Sequence, residues 1–286
     1  MSRRISGLSA IASDYRAILC DVWGVLHNGQ SVYREAEQAL IKYRENGGQV
    51  VLLTNSPRPN QGVLAQLDEL RVDRSAFDDI VTSGDVTRTL IAEAEGPLFH
   101  LGPARDIPLF DGLGKQFVDE DNCQAVVCTG LFEDEVETPD HYRQRLQKLA
   151  DRDVPFICAN PDLIVERGDR LIYCAGSLAQ LYQELGGRTL VAGKPHAPIY
   201  TLAMERLRDL NGSATEQAEV ICIGDGMPTD VAGALSNGFD LLYISAGIHS
   251  NEYGPAENPD EAALEQFLVR QKVDPSVWMP RLRWNA

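Results

Sequence analysis

Continuous apolar runs, separated by stretches with helical patterning, constrain this chain more than any other feature. Ala17-Ile18-Leu19-Cys20, Val50-Val51-Leu52-Leu53 and Val220-Ile221-Cys222-Ile223 lack the polar–apolar alternation of half-exposed strands. Strands built from such runs are buried on both faces, as in parallel sheets. Helical stretches over 34–46 and 60–71 follow the first two runs. The first of them stops at Gly47-Gly48, and the second run closes on the turn signal Thr54-Asn55-Ser56-Pro57. A short strand over 79–82 leads into a further helix. This order predicts an α/β fold with a doubly wound, Rossmann-like parallel sheet.

The same grammar returns after Arg188. Thr189-Leu190-Val191-Ala192 leads to Gly193-Lys194-Pro195 and a helix over 198–210. The run ending at Ile223 closes on Gly224-Asp225-Gly226, with a helix expected over 229–237. A strand over 241–244 and a helix over 260–271 complete the pattern. Residues 85–187 carry strands and helices of their own, among them strands over 124–128 and 156–158 and a helix over 139–151. The expected organisation is a core formed by 1–84 and 188–286, with 85–187 inserted as a second α/β domain. At 286 residues the chain is long enough for both.

Four strand ends deliver polar groups: Asp21, Thr54, Lys194, and Asp225 with Asp230. Strands distant in sequence become neighbours in a parallel sheet, and their carboxyl ends share one crevice. Three carboxylates gathered there repel one another unless a cation sits between them. The pattern therefore points to a magnesium site with a nucleophilic aspartate. Each residue alone has a plainer reading, as a turn, a helix cap or solvated surface. Their order along successive strand ends is what singles them out.

Composition narrows the partners. Hydrophobic residues at 44% and charged residues at 24% are ordinary for a globular protein, and a sizeable core is expected. The formal net charge of -16 argues against nucleic acid or an anionic membrane surface. A small anionic substrate remains compatible, because one metal and one lysine reverse the local field. No apolar run reaches the length of about eighteen residues that a membrane span needs, and the apolar stretch near Met1 is too short for a signal peptide. The six cysteines are scattered without a C-x-x-C pair, which suits buried hydrophobes in a reducing cytoplasm.

The ordered motifs resemble the haloacid dehalogenase-like (HAD) hydrolase superfamily over nearly the whole chain. They are Asp21-Val22-Trp23-Gly24-Val25-Leu26, Thr54-Asn55, Gly193-Lys194-Pro195 and Gly224-Asp225-Gly226-Met227-Pro228-Thr229-Asp230. Leu53-Thr54-Asn55, Ala159-Asn160-Pro161-Asp162 and Gly193-Lys194-Pro195 together look like its class IIA branch. That branch includes N-acetylglucosamine-phosphate phosphatase-like and 4-nitrophenyl-phosphatase-like proteins and carries a large α/β cap between the second and third motifs. The resemblance implies a magnesium-dependent phosphatase acting on a small phosphorylated metabolite. Asp21 would attack phosphorus, and Asp225 and Asp230 would hold Mg2+ together with Asp21 and the backbone carbonyl at Trp23. Thr54 and Lys194 would steady the transferring group, and Asn55, Asn160 and Asp162 would join substrate binding. A homodimer is allowed, because caps of this class can dimerise.

Trp23 departs from the family pattern, which usually has an aspartate there to protonate the leaving alcohol. Indole offers one N–H donor and no proton to shuttle. His27, His196, Asp85 and Asp162 are alternative sources of that proton. Two other readings stay open: a weak or inactive metal- and phosphate-binding module, and a 2-haloacid dehalogenase, whose halide leaves without a proton. The paired acids Asp225 and Asp230 weigh against the dehalogenase.

Overall fold

The computed structural model describes residues 2–168 and 170–285. In chain order its strands are β1 (Arg3–Arg4), β2 (Ala17–Asp21), β3 (Gln49–Thr54), β4 (Asp79–Thr82), β5 (Leu98–Leu101), β6 (Ala125–Cys128), β7 (Phe156–Cys158), β8 (Ile164–Arg167), β9 (Arg170–Tyr173), β10 (Thr189–Val191), β11 (Val220–Gly224), β12 (Asp240–Ile244) and β13 (Val277–Met279). The α-helices are α1 (Arg34–Glu45), α2 (Asn60–Glu69), α3 (Ser83–Glu93), α4 (Arg143–Asp151), α5 (Ala175–Glu184), α6 (Ala197–Asn211), α7 (Ala232–Ser236) and α8 (Glu261–Gln271). The chain forms two compact units. One comprises Met1–Thr54, Gln66–Val81 and Tyr200–Ala286, and the other comprises Asn55–Ala65 and Thr82–Ile199.

The first unit is built on a seven-stranded sheet in the order β1-β13-β12-β11-β2-β3-β4. The pairings from β1 through β3 are parallel. Every residue of β2 and of β11 is buried, which is why both read as continuous apolar runs. A fully buried Leu or Ile contributes about 1.5–3 kcal/mol relative to an exposed one. α1 buries Ala36, Ala39, Leu40 and Tyr43, the i, i+3, i+4, i+7 stripe of a helix lying on a sheet. It ends where Gly47 takes φ +89°, a conformation that glycine adopts without strain.

The second unit holds a four-stranded sheet in the order β10-β7-β6-β5, parallel throughout. Both of its faces are covered. Val126, Cys128 and Phe156 pack with Leu146, Leu149, Leu178 and Tyr182 on one side. Ala125, Val127 and Ile157 pack with Ile91, Leu109 and Phe110 on the other. β8 and β9 form a separate antiparallel hairpin. The protein is thus α/β, with a doubly wound parallel core and a second α/β unit inserted into it along the chain. All six cysteines are buried thiols outside any disulfide. Among the described residues no helix is long and apolar enough to cross a membrane.

One element differs from expectation. The helix anticipated over 229–237 starts as a wide π-helical turn, Met227–Val231, and becomes α-helical only in α7. Val231 N–H bonds the Gly226 carbonyl, five residues back, at 3.0 Å. The wider turn lets Asp230 fold back so that its Oδ2 accepts the Gly226 N–H at 3.1 Å.

Candidate active site

Register places the acidic residues together. β2 lies between β11 and β3, with Cys20 opposite Ile223 and Asp21 opposite Leu53. Asp21 therefore ends its strand beside Gly224 on one side and one residue short of Thr54 on the other. Asp225 follows Gly224 directly, and the π-helical turn returns Asp230 to the same spot. One carboxylate oxygen from each of Asp21, Asp225 and Asp230 lies within 4.8 Å of the other two, and all three residues are buried. Thr54 is buried too, with 5% of its surface exposed.

The backbone closes tightly around these acids. A Cβ on Gly24 would fall 2.5 Å from Asp225 Oδ2, and one on Gly247 only 1.9 Å from the same oxygen. A Cβ on Gly224 would fall 2.3 Å from the Asp230 Cβ. Ile248 N–H donates to Asp225 Oδ2 at 2.8 Å, and Met227 N–H donates to His249 Nε2 at 3.1 Å. Sequence reading missed Gly247, Ile248 and His249, which follow β12 and grip the Asp225–Asp230 loop from its neighbouring strand. The available signal was a glycine just past the apolar run 241–244, where a ligand-bearing loop needs close approach. Carboxylates are hard oxygen donors, and a buried trio of them suits a small divalent cation. The residues present fit magnesium on those grounds.

Trp23 folds back over its own loop. Its ring meets His27 edge to face, with centroids 5.0 Å apart, and covers Gly29, where a Cβ would sit 2.4 Å from Trp23 Cζ2. His27 is 1% exposed. Its Nδ1 accepts the Gly29 N–H at 2.9 Å, and burial pulls its pKa down to about 4. At neutral pH the ring is an uncharged prop for this turn.

Lys194, Asn55, Asn160 and Asp162 belong to the second unit. Lys194 is 2% exposed. The Asn55 side chain binds its peptide twice: Asn55 Oδ1 accepts the Lys194 N–H at 2.8 Å, and Nδ2 donates to the Lys194 carbonyl at 3.3 Å. Asn55 Nδ2 also donates to Asp162 Oδ1 at 2.9 Å, and Asn160 Oδ1 accepts the Asp162 N–H at 3.1 Å. Asp85 is engaged in capping: its carboxylate accepts from the Thr82 N–H and the Asn60 N–H. His196 is exposed. The structure thus assembles Asp21, Asp225 and Asp230 within one unit, and Asn55, Asn160, Asp162 and Lys194 within the other.

Comparison with known proteins agrees with this architecture. A family model described as haloacid dehalogenase-like hydrolase matches residues 18–116, and a HAD-hydrolase-like model matches residues 191–267. The crystal structure of a hydrolase of the haloacid dehalogenase-like family from Brucella suis 1330 is 47% identical, with a TM-score of 0.88, covering 99% of this chain and 100% of its own. A glycerol phosphate phosphatase from Mycobacterium tuberculosis, solved in complex with magnesium, is 25% identical with a TM-score of 0.64, covering 87% of this chain and 71% of its own. Haloacid dehalogenase-like hydrolase domain-containing protein 2 of Bos taurus is 27% identical over 238 residues, 81% of this chain and 85% of the relative. With near-complete coverage at that first identity, and with an α/β unit inserted as in the class IIA branch, the chain belongs to the haloacid dehalogenase-like hydrolases.

Proposed function

We propose that this hydrolase is a magnesium-dependent phosphatase that removes phosphate from a small phosphorylated metabolite through an aspartyl-phosphate on Asp21. The observation that carries the reading is the trio of buried carboxylates within 4.8 Å of one another. Asp225 and Asp230 stand beside a third acid that ends the central strand. Asp21, Asp225 and Asp230, with the carbonyl of Trp23, would hold Mg2+, whose charge would offset the repulsion between Asp21 and a phosphate oxygen. An Asp21 carboxylate oxygen forms a bond to phosphorus as the bond from phosphorus to the leaving oxygen breaks. Water then attacks the acyl phosphate, releasing inorganic phosphate and restoring the carboxylate. Thr54 offers a hydroxyl beside Asp21, and by resemblance to the family Lys194 would supply positive charge against the developing phosphoryl charge. The inserted unit would serve as the cap that selects substrate and excludes water.

Trp23 has no proton to give at neutral pH, so poor leaving groups suffer most. General acid–base help is worth about 10² to 10⁴ in rate. The test is phosphate release from 4-nitrophenyl phosphate and from an alkyl phosphate, with Mg2+ and with chelator. Turnover that needs Mg2+ and disappears in Asp21→Asn is expected, with the aryl ester far ahead of the alkyl one. In Trp23→Asp the alkyl ester should gain on the aryl one. Phosphate binding without turnover of either ester, in wild type and in Trp23→Asp alike, would instead identify a phosphate-binding module.

A further inference from the structure

Asn55 is 2% exposed, and its amide is fully committed. Both Nδ2 hydrogens are used, one toward the Lys194 carbonyl and one toward Asp162 Oδ1, while Oδ1 takes the Lys194 N–H. An amide carries two donors, so Asn55 keeps none for a substrate. Nor does the loop opposite have slack. A Cβ on Gly193 would fall 2.4 Å from Ser83 Oγ and 2.7 Å from Asn55 Oδ1, so the main chain lies flat against the asparagine.

Asp162 reinforces the way that amide points. Its carboxylate only accepts, so the Asn55 NH2 must face it and the Asn55 carbonyl must face the Lys194 N–H. Without Asp162 the NH2 keeps only the longer bond to the Lys194 carbonyl, and the amide is held less firmly in that orientation. Asp162 is itself held at its backbone. Asn160 Oδ1 takes its N–H, and its carbonyl accepts the Gly176 N–H of α5 at 3.1 Å. Glycine is required there too, since a Cβ on Gly176 would fall 2.2 Å from the Pro161 carbonyl oxygen.

We infer that Asn160, Asp162 and Asn55 act in series as positioning residues. They fix the main chain of Lys194, and through it the place of its ammonium, rather than touching substrate. The role assigned to the ammonium rests on the phosphatase reading above, whereas the series itself does not. It ties the loop between β7 and β8 to the charge that a phosphate would meet. Substitutions at Asp162 should therefore behave as lesions of Lys194.

The full-length chain tests this with two readouts. One is binding of inorganic phosphate in the presence of Mg2+, by calorimetry. The other is the rate of reductive methylation of Lys194, by mass spectrometry. Asp162→Ala and Asn55→Ala should each weaken phosphate binding about tenfold, the scale of one charge-assisted hydrogen bond. The double variant should be no worse than Asn55→Ala alone, because the residues act through one another. Lys194 methylation should quicken several-fold in each. Asp162→Asn retains an acceptor oxygen and should recover most of the loss in both readouts. Additive losses, unchanged Lys194 labelling, or Asp162→Asn as damaging as Asp162→Ala would overturn the proposal. Wild type that binds no phosphate would count against the phosphatase reading alone, and Lys194 labelling would still decide the series.

Discussion

At the residue scale the most informative pair is Trp23 and Gly29. The indole occupies the space a Gly29 side chain would need, 2.4 Å from its Cβ position, and Gly29 holds φ +82°. Two separable costs follow for Gly29→Ala. One is the left-handed backbone, about 1–2 kcal/mol for an L-residue. The other is overpacking against the ring, about 1–3 kcal/mol. Only the second depends on Trp23. Gly29→Ala should therefore lose more stability in the wild type than in a Trp23→Ala background, by about 1–3 kcal/mol in urea unfolding. Equal penalties in the two backgrounds would show that the ring yields freely and does not stiffen the turn. Such stiffness bears on chemistry, because the turn begins two residues after Asp21.

At the element scale, what could be read from the sequence depended on how local the cause was. Strands β2, β3 and β11 were legible because burial on both faces leaves a continuous apolar run, and Asp21, Thr54 and Asp225 because each follows such a run at once or after a single glycine. The π-helical turn was hidden, since its defining bond from Val231 to Gly226 leaves no periodicity in so short a segment. β8 and β9 carry mixed sequences whose residues are mostly half-buried or exposed, so neither alternation nor an apolar run marks them. His249 reaches its partner Met227 between the loops that follow two neighbouring strands, a contact that spacing alone does not encode.

The carboxyl ends of β5 and β6 carry a further element-scale consequence. His100 Nε2 lies 2.9 Å from Thr129 Oγ1, and its ring meets Phe110 edge to face. Burial lowers the His100 pKa from 6.5 to about 4. The folded chain thus binds this proton more weakly than the unfolded chain. The His100 contribution to stability is complete above pH 6.5 and is lost as pH falls toward about 4. Asp106 sits in the same cluster, 3.4 Å from the Arg58 Nε, and burial raises its pKa against the pull of Arg105 and Arg58. Its contribution has the opposite sign, being present at low pH and lost as pH rises through the raised value. Substituting the histidine alone separates the two. His100→Gln should flatten the acid-side fall in melting temperature between pH 6.5 and 4, and an unchanged slope would show that His100 titrates freely.

At the scale of the whole molecule, the acidic cluster bears on stability as well as on the proposed chemistry. A formal net charge of -16 offers the buried trio no general relief, and each pair of carboxylates within 4.8 Å repels by roughly 3 kcal/mol at an effective dielectric near 20. Folding brings these charges together, so on the proposed reading the metal-free protein carries a penalty that a bound cation would remove. Any ligand that binds only the folded state adds RT ln(1 + [L]/Kd), about 2.7 kcal/mol at a hundredfold excess over Kd. Raising Mg2+ through the millimolar range should therefore lift the melting temperature of the wild type by several degrees, a shift that monovalent salt at equal ionic strength does not reproduce. Asp21→Asn removes one of the three charges. Its metal-free form should melt above the metal-free wild type, and its gain from Mg2+ should be smaller. The two curves should consequently approach or cross as the metal is added. A metal-free Asp21→Asn that melts below the wild type would mean that Asp21 earns its stability from hydrogen bonds and not from relief by a cation, and the carboxylate trio would lose its claim to be a metal site.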